Sequence, residues 1–563
     1  MEREWWKDAV VYEIYCKSFC DSDGDGIGDL RGVISKLPIL HELGITCIWF
    51  TPIFTSPQVD NGYDVADYED IDPAYGTIDD FRELLRCAHA LGIRVILDMV
   101  LNHSSDEHRW FRESRRSKDN PYRNYYIWHA PKPDGSEPNN WGNYFREGNG
   151  SAWTFDEATG EYYLHQYSAK MPDLNWEYEP LRKELYAMMN RWLALGVDGF
   201  RFDVFTRFKK PDGFPDTKKA ADPLLDHGFI VDRDMCTCVD GIHTFLRELH
   251  ENVIAGKDIF TVGEGSGIHA GNAAEYIAAD RRELQSVYHF DLISRKRPPF
   301  TSADFRRVQS DWAEVLNRGG WYAQYFGNHD QPRAVSRYGD ELFRVESAKL
   351  LAMLAHTTPG TPFLYQGEEI GMTNVSYDSI EDYNDRYTVG DYRSMIRFGM
   401  TPEDALAILR PKSRDNARAP YHWDGSKNAG FTTGTPWLKL NKNYREVNLE
   451  AERKRPDSIF AFYQALIRLR REHPAITDGS LRFLLKDDPD IIAYLRECPE
   501  ETLLVLANKS CKTRSVSLPE ELRCAEFTLL LGSRPESEAA LRETKEFLPW
   551  EAGLYLLRQA GKE

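Results

Sequence analysis

The stretch PLRKELYAMMNRWLALGVDGFRFDVF, residues 180–205, decides the predicted fold. It starts with an amphipathic helical pattern that ends at Gly196 and continues into a buried strand that ends at an acidic residue, Asp203. Seven other apolar runs have the same strand character, being β-branched or aromatic near the start and mostly polar or glycine at the end. These runs begin at Val10, Ile45, Arg94, Phe260, Ser286, Trp321 and Thr361.

Helical patterns alternate with these strands, so the chain contains eight β-then-α units. Strands that are apolar throughout are typical of a parallel sheet that is covered on both faces. The pattern therefore predicts an α/β protein with a (β/α)8 barrel, the TIM barrel. An open, doubly wound sheet is the alternative that a count of units leaves open.

Two segments interrupt the alternation. Residues 104–171, after the third strand, are rich in Trp, Tyr, Asn, Pro and Gly, which predicts an excursion domain rather than a simple loop. Residues 477–563 contain short alternating runs, which predict an antiparallel β-sandwich as a separate C-terminal domain. The barrel would then comprise residues 1–103 and 172–476.

Composition limits the classes of partner. The 563 residues carry 70 Lys and Arg against 89 Asp and Glu, a formal charge of −19, which argues against nucleic acid or an anionic membrane as the main partner. The nine cysteines are scattered and odd in number, so they do not form a disulfide framework. The start lacks the apolar run of a signal peptide, and no stretch of about eighteen apolar residues predicts a membrane span. We expect a cytoplasmic enzyme that is a monomer or a weak homo-oligomer.

Acidic, histidine and arginine side chains follow four of the predicted strands, at the end where barrel enzymes place their active sites. A single acid at a strand end is usually only solvated. Several acids that converge on one rim with two histidines and an arginine indicate a catalytic site instead. The residues are Asp98 and His103 after the third strand, Arg201 and Asp203 in the fourth, Glu264 in the fifth, and His329 and Asp330 after the seventh.

Three neighbouring carboxylates cannot all stay ionised at ordinary pKa values, because like charges raise each other's pKa. A glycosidase uses such a cluster: one neutral acid protonates the leaving oxygen, and one anion attacks or stabilises an oxocarbenium-like centre. Arg201 lies two residues before Asp203 and shares its strand face, which predicts that Arg201 keeps Asp203 ionised.

The blocks DMVLNH, GFRFDVF, TVGEG and GNHDQPR, in this order and spacing, resemble those of the α-amylase superfamily (glycoside hydrolase family 13). Within it, the chain is most similar to the oligo-1,6-glucosidase/α-glucosidase branch, over essentially its whole length. The resemblance implies that Asp203 is the nucleophile, that Glu264 is the general acid and then the base, and that Asp330 holds the sugar hydroxyls. The nucleophile and the acid should then lie roughly 5–5.5 Å apart, which gives retention of the anomer.

The resemblance also implies contacts to the glucose in the cleavage subsite. His103 and His329 match histidines that hydrogen-bond this glucose, and Arg201 matches the strand-four arginine of the family. Tyr63 and Tyr167 match aromatic residues that floor the subsite, although ordinary core aromatics are the alternative.

A further implied pair closes the pocket at the non-reducing end. Asp64, in DNGYDVADY, and Arg414, in SRDNAR, match this pair, and a carboxylate with a guanidinium can grip vicinal hydroxyls through charge-assisted bonds. A pocket closed in this way releases one glucose from a chain end, whereas an open cleft cuts internally.

The loop DSDGDGIGD, residues 21–29, offers oxygen ligands for a hard divalent cation. It is not an EF-hand, because its twelfth position is Gly32, where that motif requires a bidentate glutamate. The resemblance implies a structural calcium site, with magnesium and an empty acidic turn as alternatives, and no organic cofactor is expected. The candidate ligands are Asp21, Asp23, Asp25, the carbonyl of Ile27, and Asp29.

These features predict a retaining, exo-acting α-glucosidase that hydrolyses terminal α-1,6-linked glucose from isomalto-oligosaccharides and short dextrins, with α-1,4 bonds as a further target. Val204 after the nucleophile accompanies α-1,6 preference in the resembling branch, although it could simply pack the strand. Met171 and Gly265 depart from the branch pattern at positions expected on the leaving-group side. The alternatives are a sucrose- or trehalose-acting isomerase or transglucosidase and, from another class, a non-catalytic transporter-accessory or glucan-binding relative.

Overall fold

The computed structural model describes residues 4–226, 228–294, 298–523, 525–538, 541 and 544–558. The predicted domain ends at residues 1–3 and 559–563 lie outside the described residues, as does Cys524 in the fourth predicted strand of the C-terminal domain.

Eight parallel strands form a nearly closed barrel, which confirms the predicted fold. Their order around the sheet is β6-β5-β4-β3-β2-β1-β8-β7, so the chain winds around the barrel in sequence and β8 closes on β1. Between β6 and β7, where no ladder forms, the Tyr325 hydroxyl donates a hydrogen bond of 2.8 Å to the carbonyl of His289. The strands are β1 (Val11–Ile14), β2 (Cys47–Phe50), β3 (Arg94–Met99), β4 (Gly199–Phe202), β5 (Phe260–Gly265), β6 (Ser286–His289), β7 (Ala323–Gln324) and β8 (Thr361–Tyr365).

One helix follows each strand and covers the outside of the barrel. Capping boxes start two of these helices: Thr77 and Thr301 each accept from the backbone N–H three residues on, where an aspartate caps in return. The helices are α1 (Leu30–Leu43), α2 (Ile78–Ala90), α3 (Glu179–Leu195), α4 (Ile242–Leu249), α5 (Ala274–Ile277), α6 (Ser302–Asn317), α7 (Arg344–Thr357) and α8 (Ile459–Glu472).

Gly199, the first residue of β4, lets the two strands that carry Asp203 and Glu264 approach closely. Its φ is +150°, and a Cβ here would lie 1.9 Å from the carbonyl oxygen of Phe260. The β3–β4 register then places Arg201 opposite Asp98. A glycine at the base of the strand thus aligns the side chains at its carboxyl end.

The excursion after β3 is built on a small antiparallel sheet of three strands, Trp128–His129, Glu161–Leu164 and Trp153–Asp156, preceded by a short helix, Arg109–Ser114. Its apolar cluster includes Trp141 and Trp153, but also Cys236 from the long connection after β4. Trp141 forms a β-bridge with Ile230 of the same connection. The excursion therefore shares its core with residues outside 104–171.

A second long connection, between β8 and α8, covers the same end of the barrel. It contains the helices Arg386–Arg397, Pro402–Leu409, Asp415–Arg418 and Leu449–Arg453. It supplies Asp385, Arg414 and Arg418 to the pocket described below. Asp385 forms an ion pair with Arg414, and Arg418 forms one with Asp330.

The C-terminal domain is an antiparallel β-structure, as predicted. A five-stranded sheet has the order Ser480–Leu484, Ile491–Glu497, Thr502–Asn508, Ala552–Arg558 and Glu526–Gly532. A two-stranded sheet, Arg514–Ser517 with Thr544–Phe547, was not predicted. The apolar side chains of Val516 and Phe547 in this second sheet pack with Leu495 and Leu504 of the first.

Candidate active site

A pocket of about 400 Å³ lies at the carboxyl end of the barrel. All three predicted catalytic acids line it, together with five of the predicted substrate-binding residues. Arg201 and His329 are buried next to it, with 3% and 1% of their surfaces exposed, and contact the lining acids directly. The lining residues among those predicted are Tyr63, His103, Tyr167, Asp203, Val204, Glu264, Asp330 and Arg414.

Arg201 connects three carboxylates. Its Nη1 lies 2.7 Å from Oδ1 of Asp203 and 2.9 Å from Oδ1 of Asp98, while its Nη2 lies 2.7 Å from Oε2 of Glu264. A buried guanidinium is stable only when charged partners replace its lost hydration, and here they come from three consecutive strands. The arrangement fixes Asp203 and Glu264 on one side of the same cation.

One cation cannot neutralise three anions, so protons are retained in the cluster. Burial raises the pKa of Asp98 to about 6, with Arg201 opposing the shift. Burial also raises the pKa of Asp203 well above its usual value, and the neighbouring Glu264 adds to this, while Arg201 lowers it. Arg201 therefore lowers the pKa of Asp203, as predicted, but burial acts in the opposite direction and the net shift is upward.

Val204 has a left-handed backbone, with φ +36° and ψ +40°, immediately after Asp203. This conformation costs a β-branched residue on the order of 1–3 kcal/mol, and such strain is typical of functional sites. The left-handed residue turns the chain from β4 into a short 3-10 helix, Phe205–Arg207. The N–H of Val204 donates to Oε2 of Glu264 at 3.4 Å. The turn therefore places Val204 in the pocket wall between the two acids.

The two predicted histidines are neutral near pH 7. Burial lowers the pKa of His103 to about 4 and that of His329 to about 3. His103 Nδ1 lies 3.1 Å from Nδ2 of Asn102, and among the described residues its Nε2 makes no hydrogen bond although His103 lines the pocket. A sugar hydroxyl is the kind of partner this nitrogen lacks.

Asp330 is held by two arginines. Nη2 of Arg418 lies 2.8 Å and Nη1 of Arg414 lies 3.4 Å from its Oδ1. Its carboxylate is therefore kept in place by charge-assisted hydrogen bonds while its side chain is still 34% exposed to the pocket.

The predicted pairing of Asp64 with Arg414 is wrong. Asp64 is fully buried, and its two oxygens accept from the backbone N–H groups of Val59 and Asp60. The partner of Arg414 is Asp60, whose Oδ1 lies 2.8 Å from Nη2, with Asp385 on Nε at 2.7 Å. Asp64 thus supports the turn that presents Asp60.

The two departures from the branch pattern differ in position. Met171 lines the pocket. Gly265 does not: a Cβ at this position would meet Val287 at 2.6 Å and the carbonyl of Tyr288 at 2.8 Å. Gly265 is therefore outside the pocket lining, because its strand packs tightly against β6, and Ser266 and Gly267 line the pocket instead.

Several lining residues were not predicted. Asp60 belongs to the same motif as Asp64, so its type and position were visible in the sequence. Arg207, Arg233 and Tyr387 come from the long connections after β4 and β8, where no periodic pattern identified them.

The loop after β1 brings three of its aspartates together. Carboxylate oxygens of Asp21, Asp23 and Asp29 lie within 4.8 Å of one another. Asp25 is not in this group, and its Oδ1 accepts from the N–H of Ile27 at 2.7 Å. Oxygen donors at this spacing suit a hard cation such as Ca²⁺ or Mg²⁺.

Known proteins match this chain along its whole length. Residues 13–479 match the family model for the α-amylase catalytic domain, and residues 481–542 match the C-terminal domain of maltogenic amylase. An oligo-1,6-glucosidase of Halalkalibacterium halodurans is 47% identical over 99% of both chains, and a trehalose-6-phosphate hydrolase of Bacillus subtilis is 42% identical over 98% of both. The solved trehalulose synthase of Pseudomonas mesoacidophila superposes with a TM-score of 0.92 at 41% identity, over 99% of this chain and 100% of that one.

Paired carboxylates in a pocket at the carboxyl end of a barrel fit a carbohydrate-cleaving enzyme, and the matches show this class. The chain belongs to the α-amylase family and is a glycoside hydrolase, as the sequence motifs predicted. In the part of the chain that the structure describes, no helix is long and apolar enough to cross a membrane.

Replacing Asp60 and Asp64 separately tests the corrected pair. Asp60→Asn should lower kcat/KM about 10- to 100-fold, because it removes a charge-assisted contact to the buried Arg414. Asp64→Asn should mainly lower the melting temperature, because its amide cannot accept from both backbone N–H groups. Steady-state kinetics and thermal unfolding of both variants measure this, and the reverse pattern would restore Asp64 as the pocket residue.

Proposed function

We propose that the protein is a retaining, exo-acting α-glucosidase that hydrolyses terminal α-1,6-linked glucose from isomalto-oligosaccharides and short dextrins, and α-1,4 bonds as well. The observation that carries this proposal is the placement of Asp203 and Glu264 on one guanidinium, that of Arg201, at the wall of the pocket at the carboxyl end of the barrel. The oligo-1,6-glucosidase relatives, identical at 44–47% of positions over 99% of this chain, support the bond assignment.

In the proposed reaction, Glu264 donates its proton to the glycosidic oxygen while an oxygen of Asp203 forms a bond to the anomeric carbon. The bond from that carbon to the glycosidic oxygen breaks, and the rest of the substrate leaves as an alcohol. Glu264, now an anion, takes a proton from water, and the water oxygen displaces Asp203. Two displacements at the same carbon retain the α-configuration.

The pocket supports attack from a chain end. Asp60 and Asp385 hold Arg414, and Arg414 also contacts Asp330, so a charged group closes the pocket opposite the scissile bond. Alternating carboxylates and a guanidinium can bind the hydroxyls of one terminal glucose, with Asp330, His103 and Tyr167 around the ring. Val204 would shape the entrance used by the leaving group.

A second candidate is action on a related disaccharide, by hydrolysis or by isomerisation. The relatives named trehalose-6-phosphate hydrolase and trehalulose synthase share the whole fold with this chain at 41–42% identity. Arg207 and Arg233 line the pocket, and guanidinium groups could pair with a substrate phosphate. A non-catalytic role is disfavoured, because all three acids are present and face one pocket.

A substrate panel separates these candidates. Wild-type protein should release glucose from isomaltose and panose faster than from maltose, and should give little product with sucrose, trehalose or trehalose 6-phosphate. Asp203→Asn, which lacks the nucleophile, should lose activity on the order of 10⁴-fold or more and serves as the control for contaminating enzymes.

Three results would contradict the assignment. Turnover of maltose far above isomaltose would overturn the α-1,6 preference, and isomaltulose formed from sucrose would overturn hydrolysis. Unchanged glucose release by Asp203→Asn would overturn the mechanism.

We also propose that the loop at residues 21–29 binds one structural divalent cation, Ca²⁺ or Mg²⁺, held by Asp21, Asp23 and Asp29, with Asp25 and the Ile27 carbonyl as further candidate ligands. Asp21 accepts from the N–H groups of Asp23, Gly24 and Gly26, so its carboxylate is already oriented. A cytoplasmic location and a monomer or weak homo-oligomer complete the proposal. The eight described cysteines, which are all free thiols, support a reducing location.

We expect the bound cation to raise the melting temperature of the protein. Protein treated with a chelator should melt at a lower temperature than protein with added Ca²⁺, because an ion at 100 times its Kd stabilises the folded state by about 2.7 kcal/mol. Asp23→Asn should abolish this response, while Asp79→Asn, which changes an exposed acid on α2, should keep it. Equal melting temperatures with chelator, Ca²⁺ and Mg²⁺ would show that the loop binds neither ion.

A further inference from the structure

A row of buried side chains runs from the first strand to the catalytic cluster. Oε1 of Glu13, in β1, lies 2.5 Å from Nδ1 of His329, and Nε2 of His329 lies 2.7 Å from the Tyr63 hydroxyl. The Tyr63 hydroxyl lies 2.9 Å from Oδ2 of Asp98, which in turn binds Arg201. The first four members of this row are at most 5% exposed.

The row needs three hydrogens for three contacts. A neutral imidazole supplies one and the Tyr63 hydroxyl supplies one. The third must come from Glu13, from a second proton on His329, or from Asp98. Asp98 already has both oxygens within 3.0 Å of Nη1 of Arg201, a geometry that favours its anion.

Burial places the third hydrogen on Glu13. It raises the pKa of Glu13 well above its usual value and lowers the pKa of His329 to about 3, so a carboxylic acid beside a neutral imidazole is favoured over an ion pair. With Glu13 as donor to Nδ1, the ring hydrogen sits on Nε2 and donates to Tyr63, and Tyr63 donates to Asp98. All three contacts are then satisfied.

The surroundings of Glu13 agree with this assignment. Burial and the nearby charges of Asp330 and Asp98 favour its protonated form, while the backbone N–H of His329, which donates to Oε1 at 3.2 Å, and the charge of Arg201 favour its anion; the net shift of its pKa is upward. The other titratable groups that face it are the hydroxyls of Tyr288 in β6 and Tyr365 in β8, which are neutral near pH 7 because burial raises the pKa of each. Among cations, Arg201 has the largest effect on Glu13.

We propose that Glu13 is a positioning residue that acts through His329: its carboxyl hydrogen fixes the Nε2–H tautomer of His329 and thereby keeps Asp98 an anion that holds Arg201. Glu13 does not touch the pocket, so it acts on the reaction only through this row. The inference rests on the proposed glycoside hydrolysis at Asp203, which Arg201 orients.

Glu13→Gln tests the proposal, because glutamine has the same shape but no acidic hydrogen. The backbone N–H of His329 donates to Oε1 of Glu13 at 3.2 Å, which favours the glutamine orientation in which the carbonyl oxygen, not the NH2 group, faces the ring. His329 then carries its single hydrogen on Nδ1, and the contacts are completed only if Asp98 takes up a proton. We expect kcat to fall about 10-fold or more with a smaller change in KM, and the acid limb of the pH profile of kcat/KM to move up by about half a pH unit or more. The assay uses the full chain with p-nitrophenyl α-D-glucopyranoside.

Glu369→Gln is a matched control. Glu369 is also buried, 2% exposed, and accepts from the hydroxyls of Tyr12 and Tyr421, but it does not contact the row. Its replacement should lower the melting temperature and leave the pH profile unchanged. In a Tyr63→Phe background, which interrupts the row, Glu13→Gln should cause no further shift of the acid limb.

An active Glu13→Gln variant whose kcat and acid limb match the wild type would overturn the proposal, as would a further shift in the Tyr63→Phe background. If Glu13→Gln does not fold, Glu13→Asp replaces it. That side chain is one methylene shorter and does not reach Nδ1 of His329, so the variant should lose kcat and move the acid limb up as Glu13→Gln does, and an unchanged kcat or an unmoved limb would overturn the proposal. A wild-type protein that does not cleave the glucoside would instead contradict the proposed function.

Discussion

A single buried guanidinium, that of Arg201, holds the carboxylates of Asp98, Asp203 and Glu264 within 3 Å. Without this cation, three acids on adjacent strands would repel one another in a region with little water, and the barrel could not bring them together. With it, the three acids share one positive charge, and burial still raises the pKa values of Asp98 and Asp203, which favours the retention of protons in the cluster. Retained protons are what a reaction with one acid and one nucleophile requires.

Other parts of the fold place Arg201 and the three acids in contact. Gly199 lets β4 approach β5, the strand register sets Arg201 opposite Asp98, and the strained turn at Val204 directs the chain away from the acids. The excursion after β3 and the connection after β8 cover the cluster from outside, which excludes water and so strengthens the electrostatic interactions within it.

The barrel and the catalytic acids could be predicted because both depend on local patterns. Each strand is an apolar run that ends in polar residues, and the acids lie at those ends. Asp60 and Asp64 could not be told apart by spacing, because Asn61 and Gly62 have φ of +53° and +101° and fold the chain back, so that Asp64 turns toward the backbone of Val59. The role of Glu13 could not be predicted from its apolar strand, since that role depends on His329, more than three hundred residues away in the sequence. The raised pKa of Asp203 likewise depends on burial, which no motif specifies.

The central claim is that Arg201 presents Asp203 as the nucleophile while Glu264 works as the acid. Trapping the covalent intermediate tests it most directly. The protein is incubated with 5-fluoro-α-D-glucosyl fluoride, digested with pepsin, and analysed by mass spectrometry. The account predicts one glucosyl adduct on the peptide that contains Asp203, and sequencing places it on that residue. An adduct on Glu264 or Asp330, or β-glucose as the first product from an α-glucoside, would contradict it.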